Sequence, residues 1–143
     1  MLITQKKQYA LRAIYELAKH QRKGPIKTAQ IAEAQAIPQR FLEIILNRLK
    51  HAGLVVAKRG YCGGFQLKRP PREITVEDIF KSMEDIDEAT VCVSCISKSD
   101  CPFYGACAFL PVWREMQKAI DQICTGTTVQ SLLENKSVQP LGE

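Results

Sequence analysis

The chain has 143 residues, of which 45% are hydrophobic and 24% are charged, a composition typical of an ordinary soluble globular protein. Residues 1–72 carry 15 of the 20 Lys and Arg residues and only three of the 15 acidic ones, so this basic half has a formal charge of +12, whereas the acidic half, residues 73–143, has a formal charge of −7. This length suits one domain, or one small domain with an appendage, which excludes a multidomain enzyme, and no stretch approaches the ~20 apolar residues that span a bilayer.

The first 20 residues carry charged side chains among the apolar ones, which breaks any secretory hydrophobic region. We therefore expect a cytoplasmic protein. In that reducing compartment, six cysteines are not expected to form a disulfide framework, so their clustering needs another cause.

Three helices are predicted in the basic half. The first extends from about residue 4 to 22, with Thr4 as its N-cap and Gly24-Pro25 after its end. Thr28 is predicted to cap a short second helix. That helix closes at Ile37, because a residue before proline is pushed out of the helical region.

The third helix is predicted from Pro38, at its first position, to Ala52, with Gly53 as its C-terminal cap. Its apolar residues form one stripe, and its polar and basic residues lie outside that stripe. The stripe consists of Phe41, Leu42, Ile45, Leu46 and Leu49. A short helix, a tight turn and a longer helix with a basic outer face form the helix-turn-helix pattern, which a solvated helical hairpin would also show.

Two short strand candidates follow, Leu54–Val56 and Phe65–Leu67, joined by a basic segment with three glycines. They predict a β-hairpin wing. No Gly-Lys-Ser/Thr follows the glycines and no helix opens after them, so a nucleotide-binding loop is not expected. The glycines serve tight turns and close backbone approach, and Arg59 is placed to reach a narrow groove.

The charge changes sign at Pro70-Pro71. Thr75 and Asp78 form a capping-box pattern for a short helix. A long helix is predicted from near Pro111 to just before Gly126, followed by a short helix over residues 128–134 and a disordered tail. The apolar stripe of the long helix is Leu110, Trp113, Met116, Ile120 and Ile123. This stripe either folds back on the chain's own core or docks on a second copy.

Four cysteines lie within 16 residues, with the spacing C-x2-C-x5-C-x5-C. They are Cys92, Cys95, Cys101 and Cys107, while Cys62 and Cys124 stand apart. Thiolates are soft ligands for iron-sulfur clusters, zinc or copper(I). Structural zinc sites commonly use two C-x2-C pairs, and only one is present, so the spacing favours an iron-sulfur cluster. Zinc and metal-free thiol chemistry, including a disulfide switch, stay open.

The assembled pattern resembles the Rrf-two type of bacterial winged helix-turn-helix transcriptional regulators, in particular the iron-sulfur-binding IscR and NsrR branches. The matching segments are FLEIILNRLKHAGLV, RGYCGGFQL, ITVEDI, the C-x5-C-x5-C loop and the long Trp-bearing helix, which together extend from Met1 to about Leu133. The resemblance implies a mainly α fold with a small β-hairpin, a winged helix-turn-helix with a long C-terminal dimerisation helix. It also implies a homodimer that binds a palindromic operator in double-stranded DNA, as a repressor or another regulator, and no enzyme activity.

By this resemblance, the third helix enters the major groove and the wing reaches the minor groove. The implied DNA contacts are Thr28, Gln39, Arg40, Glu43, Asn47, Arg48, Lys50, Arg59 and Tyr61. Arg and Gln can make paired contacts to guanine and adenine, and Glu can accept from the cytosine amino group. The long helix is implied to cross to the partner, with dimer contacts from Trp113, Met116, Ile120 and Ile123.

The resemblance further implies that Cys95, Cys101 and Cys107 are cluster ligands. The chain departs from the family pattern at the fourth ligand. Leu110 stands where the IscR branch has a histidine, and Gln8 stands where the nitric oxide branch can have an acidic residue. We therefore expect Cys92 to complete an all-cysteine site for a 2Fe-2S or 4Fe-4S cluster.

The predicted function is a DNA-binding regulator controlled by an iron-sulfur cluster that senses redox state, nitric oxide, or iron and cluster status. Residues 1–72 would bind DNA, and residues 73–143 would hold the cluster loop (92–107) and the dimerisation helix (about 109–125). The alternative is a winged-helix regulator with a zinc site or a thiol-disulfide switch. A small electron carrier or redox enzyme is disfavoured, because such a protein has no use for a strongly basic half with a wing.

Overall fold

The computed structural model describes residues 3–85 and 101–134. In these residues the chain forms α1 (Gln5–Lys19), α2 (Thr28–Gln35), α3 (Gln39–His51), β1 (Val55–Lys58), β2 (Gly64–Leu67), α4 (Val76–Ser82), α5 (Leu110–Gly126) and α6 (Val129–Leu133). This order confirms the predicted mainly α fold, with one small hairpin after a helix-turn-helix.

Helix α1 begins as predicted and ends early. The Thr4 hydroxyl accepts a hydrogen bond from the Lys7 backbone N–H at 3.3 Å, which caps the first turn. The predicted end near residue 22 is wrong, because α1 ends at Lys19. A turn follows, in which the Lys23 N–H donates to the His20 carbonyl at 2.8 Å, and Gly24 then adopts a φ of +90°.

Helix α2 starts one residue earlier than predicted, so the assignment of Thr28 as its N-cap is wrong. Lys27 occupies the cap, and its N–H donates to Gln30 Oε1 at 3.1 Å. The residue before it, Ile26, is held in an extended conformation because it exchanges two backbone hydrogen bonds with Phe65, at 2.9 and 2.8 Å.

Helix α3 is fastened at its C-terminal end by Gly53, which has a φ of +74°. The Leu54 N–H donates to the Leu49 carbonyl and the Gly53 N–H donates to the Lys50 carbonyl, both at 3.0 Å, which is the hydrogen-bond pattern of the Schellman motif. At the other end, Pro38 is the N-cap and not the first helical residue as predicted.

The inward face of α3 is narrower than the predicted stripe. Its core residues are Leu42, Ile45, Leu46 and Leu49, each at most 2% exposed. Phe41 was expected in this stripe, and that expectation is wrong, because its side chain is 60% exposed. Phe41 and Leu42 lie about 100° apart around the helix, so only one of them can point at the centre of the core.

The wing is an antiparallel hairpin in which Val55 pairs with Leu67 and Lys58 pairs with Gly64. Two glycines are required by close backbone contacts. A Cβ at Gly63 would lie 2.3 Å from the Lys58 carbonyl oxygen, and one at Gly64 would lie 2.3 Å from the Ile26 carbonyl oxygen. These contacts confirm the predicted role of the glycines in close backbone approach.

The capping box of α4 is confirmed. Thr75 Oγ1 accepts from the Asp78 N–H at 3.1 Å, and Asp78 Oδ2 accepts from the Thr75 N–H at 3.0 Å. The same region holds the C-terminal end of α5, since the Val76 N–H donates to the Thr127 carbonyl at 3.0 Å and the Val129 N–H donates to the Ile74 carbonyl at 2.9 Å.

Helix α1 lies at the centre of the fold and packs against α2, α3, α4 and α6. The core it organises joins the helix-turn-helix to the short helices of the acidic half. Within the described ranges, no helix is both long and apolar enough to pass through a lipid bilayer.

Candidate nucleic-acid interface and cysteine loop

The outer face of α3 presents polar side chains that its core contacts hold in place. The exposed predicted contact residues of α3 are Gln39, Arg40, Glu43, Asn47 and Lys50. Gln39 Nε2 donates to Glu43 Oε1 at 3.2 Å, which orders the first turn of this face. Predicted residue Thr28, at the start of α2, is half-buried.

Arg48, predicted to contact the DNA backbone, is engaged by its own chain. Its guanidinium donates to the Met83 carbonyl at 3.3 Å and forms an ion pair with Asp85. Asp85 also pairs with Lys6 Nζ at 3.1 Å. Two hydrogen bonds hold the pKa of Asp85 below its ordinary value, the larger contribution coming from Arg48 and the smaller from Lys6.

A second acidic residue contacts the same side of α1. Glu84 Oε1 lies 3.0 Å from Lys7 Nζ, whose side chain is only 4% exposed and lies over the Phe80 ring at 5.9 Å. Sequence reasoning missed both acidic contacts. In the sequence, Glu84 is 77 residues from Lys7, and Asp85 is 79 residues from Lys6 and 37 residues from Arg48. No local pattern therefore indicates these contacts.

The wing adds basic and aromatic groups. Arg59 is exposed, and Tyr61 is 92% exposed near the tip. Lys27 Nζ lies 5.2 Å from the centre of the Tyr61 ring, so the start of α2 and the tip of the wing share one surface. Sequence reasoning did not single out Lys27. Cys62, also on the wing, is an exposed free thiol.

Two of the four predicted ligands belong to the described residues, and Cys92 and Cys95 lie outside them. Cys101 and Cys107 are half-buried free thiols. The Cys101 carbonyl accepts from the Tyr104 N–H at 3.2 Å, and the Cys107 carbonyl accepts from the Leu110 N–H at 3.2 Å. Residues 3–85 and 101–134 alone contain no group of three or more potential metal ligands. The two thiols are soft donors that fit part of an all-cysteine ligand set.

Helix α5 is mostly exposed. Cys124 is its one fully buried residue, and Ile120 packs against the core of the same chain. Burial is the main cause that raises the pKa of the Cys124 thiol, which favours a packing role over reactivity.

The four predicted dimer contacts of α5 differ in exposure. Met116 and Ile123 are 45% and 44% exposed, whereas Trp113 and Ile120 are half-buried. The Trp113 ring lies 6.5 Å from the Phe109 ring. The exposed side also includes Val112, at 56% exposure.

A helix-turn-helix, a hairpin wing and a basic outer face together define a winged-helix DNA-binding protein. A family model described as Rrf2, iron-dependent transcriptional regulator, matches residues 3–135. The chain belongs to the Rrf2 family of transcriptional regulators.

Relatives and solved structures agree with this assignment. The HTH-type transcriptional regulator IscR of Aliivibrio salmonicida is 31% identical over 143 residues, which cover all of this chain and 83% of the relative. The structure of IscR from T. potens has a TM-score of 0.77 and 28% identity, and the match covers 99% of this chain and 92% of the other. The structure of CymR, the global cysteine regulator of B. subtilis, has a TM-score of 0.75 and 28% identity over 93% of this chain and 96% of the other.

Proposed function

We propose that this regulator acts as a homodimer on a palindromic operator, and that its affinity for DNA depends on an iron-sulfur cluster held by Cys92, Cys95, Cys101 and Cys107. The description of the family as iron-dependent supports an iron group. When bound, such a cluster supplies a centre that can change charge, be nitrosylated or be lost.

The observation that carries the proposal is how the described residues before Cys92 and after Cys95 are attached to the helices. On the N-terminal side, Asp85 binds Arg48 of α3 and Lys6 of α1. On the C-terminal side, the Cys107 carbonyl accepts from the first N–H of α5. A change in how the cysteines are held would therefore act on the recognition helix and on the dimerisation helix together.

The exposed basic groups on α3 and the wing support the proposed DNA binding. Arg40 and Glu43 would contact base edges, Lys50 the phosphates, and Arg59 and Tyr61 the minor groove. Because phosphate contacts release counterions, six such contacts would lower the affinity about 1,000-fold between roughly 50 and 200 mM salt. A DNA affinity that does not change with salt concentration would contradict binding through this surface.

The dimer is supported by the apolar, exposed side of α5. An amphipathic helix with one buried residue gains little from its own chain and is completed by a partner. Two such helices would set the distance between the two copies of α3, which must match half-sites about one helical turn of DNA apart or a multiple of that distance.

The cluster is tested by anaerobic purification and assay of iron, sulfide and visible absorption. Cys101→Ala and Cys107→Ala should each lose most of the iron and the visible absorption. Cys62→Ala is the matched control, because it removes an exposed thiol that lies outside the loop. Cys92→Ala tests the fourth ligand, and unchanged iron content in this variant would show that the fourth ligand lies elsewhere.

A thiol-disulfide switch is the second candidate, and a specific observation favours it. Solved neighbours include CymR of Staphylococcus aureus in an oxidised form, with a TM-score of 0.71 and 30% identity over 92% of this chain. Under this alternative, the purified chain would contain neither iron nor sulfide. An added mild oxidant would take two electrons and two protons from two loop cysteines as their disulfide forms, and intact-mass analysis would show the loss of two hydrogen atoms, which a reductant reverses. Zinc without sulfide in elemental analysis would instead indicate a structural zinc site.

A further inference from the structure

Two large apolar side chains are exposed on the recognition helix. Phe41 is 60% exposed and Ile44 is 58% exposed, and since they are three residues apart, they are neighbours on the helix surface. Neither is needed for the core, because the inward face of α3 is already filled by four fully buried side chains. We call Phe41 and Ile44 the apolar pair.

The surroundings of the apolar pair identify its partner. Exposed Arg40, Glu43 and Asn47 alternate with the pair along the first two turns of α3. A stable protein interface needs about 800 Å² from each partner, which two side chains do not provide. A small apolar patch among exposed polar and charged side chains is instead complementary to the major groove of DNA, where methyl groups lie among the hydrogen-bonding edges of the bases.

We propose that Phe41 and Ile44 recognise thymine through its C5-methyl group, which makes them specificity-determining residues of this regulator. The inference rests on the proposed DNA binding by α3 and deepens it. Thymine is the one base that presents a methyl group in the major groove, and apolar side chains contact it there. The polar neighbours read the hydrogen-bonding groups of the base edges, and the apolar pair adds a contact with the methyl group, which hydrogen-bonding side chains do not read.

The test uses the full chain, purified anaerobically, and duplex DNA selected by it from a random library. In the selected duplex, each thymine is replaced in turn by deoxyuridine, which removes the methyl group and keeps every hydrogen-bonding group. We expect one or two positions in each half-site where this replacement weakens binding about fourfold, the effect of one buried methyl group. No such position in the wild type would overturn the inference.

The variants Phe41→Ala and Ile44→Ala should bind the selected duplex more weakly. At the position that its missing side chain contacts, each variant should bind the thymine and deoxyuridine duplexes equally. Lys50→Ala is the matched control on the same helix: it should weaken both duplexes and keep the methyl preference of the wild type. A full methyl preference in both apolar variants would overturn the inference.

Because both side chains are exposed, the variants should keep the melting temperature of the wild type, so weaker binding cannot be ascribed to unfolding. If Phe41→Ala dissociates the dimer and keeps the methyl preference, the pair is a protein contact and the inference is wrong. If the wild type selects no sequence at all, the proposed function fails, and the inference fails with it. Selection without methyl preference overturns the inference alone.

Discussion

Helices α3 and α5 both expose apolar side chains, but they are held in different ways. Four of the 13 residues of α3 are buried in the core, whereas one of the 17 residues of α5 is buried. The core therefore fixes α3 by itself. Helix α5 would need the proposed partner to cover most of its apolar side, since an isolated helix gains little stability in water.

The pattern of the exposed residues differs as well. On α5 and its N-cap they recur at alternating spacings of three and four residues, as in a coiled-coil seam. These residues are Phe109, Val112, Met116, Ala119 and Ile123. On α3, two apolar residues stand among charged and polar ones. Exposure alone thus does not indicate what kind of partner an apolar face binds. The number of exposed apolar residues, their periodicity and the charge of their neighbours do indicate it.

The largest expected effect tests whether the core alone holds α3. Leu46→Ala should lower the free energy of unfolding by about 2–5 kcal/mol, because a fully buried leucine leaves a cavity. Ile44→Ala, two residues away and exposed, should change it by less than about 0.5 kcal/mol. Urea unfolding measures both values. Equal losses would remove the distinction between the inner and outer faces of α3.

The next effect tests whether α5 needs a second copy. Met116→Glu places a charge in the exposed apolar seam and should dissociate the dimer, with a loss of DNA affinity of about 100-fold because two linked half-sites become independent. Sedimentation and DNA titration would show both changes. Gln122→Glu adds the same charge at an exposed position outside the seam and should leave the dimer intact. A dimeric Met116→Glu variant would contradict this role of α5.

A smaller effect concerns the contact between the acidic half and α3. Asp85→Asn removes the carboxylate that pairs with Arg48 and Lys6, so both cations become available to phosphate. We expect DNA affinity to rise by a few fold at low salt, with the difference shrinking as salt is added, because these groups are partly exposed. Lower affinity in this variant would show that Asp85 positions Arg48 for DNA and does not compete with it.

The smallest expected effect concerns Glu16. This residue lies on α1, the helix that packs against α3. Burial acts to raise the pKa of Glu16, but hydrogen bonds from Gln35 and Lys19 outweigh it, so the pKa lies below the ordinary 4.5. The ionised group therefore stabilises the fold above pH 4.5, and this stabilisation is lost as the pH falls through the lowered pKa. Wild type should lose roughly 1 kcal/mol more than Glu16→Gln between neutral and acidic pH in urea titrations. Parallel pH profiles would contradict this.

The sequence predicted two features that depend only on neighbouring residues. The Thr4 cap and the Thr75–Asp78 capping box are confirmed, because each hydrogen bond closes within three residues. The edge of the apolar stripe was not predictable, since the helical period tolerates either Phe41 or Ile45 beside Leu42. The predicted cluster ligands Cys92 and Cys95 lie outside the described residues, so that part of the site stays a prediction.

The contacts of Asp85 and Glu84 with the basic half could not be predicted either. They join residues that are 37 to 79 positions apart in the sequence, and their geometry follows from how α4 packs against α1 and α3. The basic and acidic halves of the sequence are therefore not fully separated from each other in the folded structure. Part of the negative charge lies directly against basic groups of α1 and α3.

The backbone hydrogen bonds between residues 74–76 and 127–129 have one more consequence. They hold α5 at its C-terminal end, while its N-terminal end adjoins Cys107. A helix of 17 residues is about 25 Å long, so a tilt of about 10° around that fixed end would move the other end by roughly 4 Å. These hydrogen bonds thus attach one end of α5 to the core, and the end next to Cys107 is the one that such a tilt would displace.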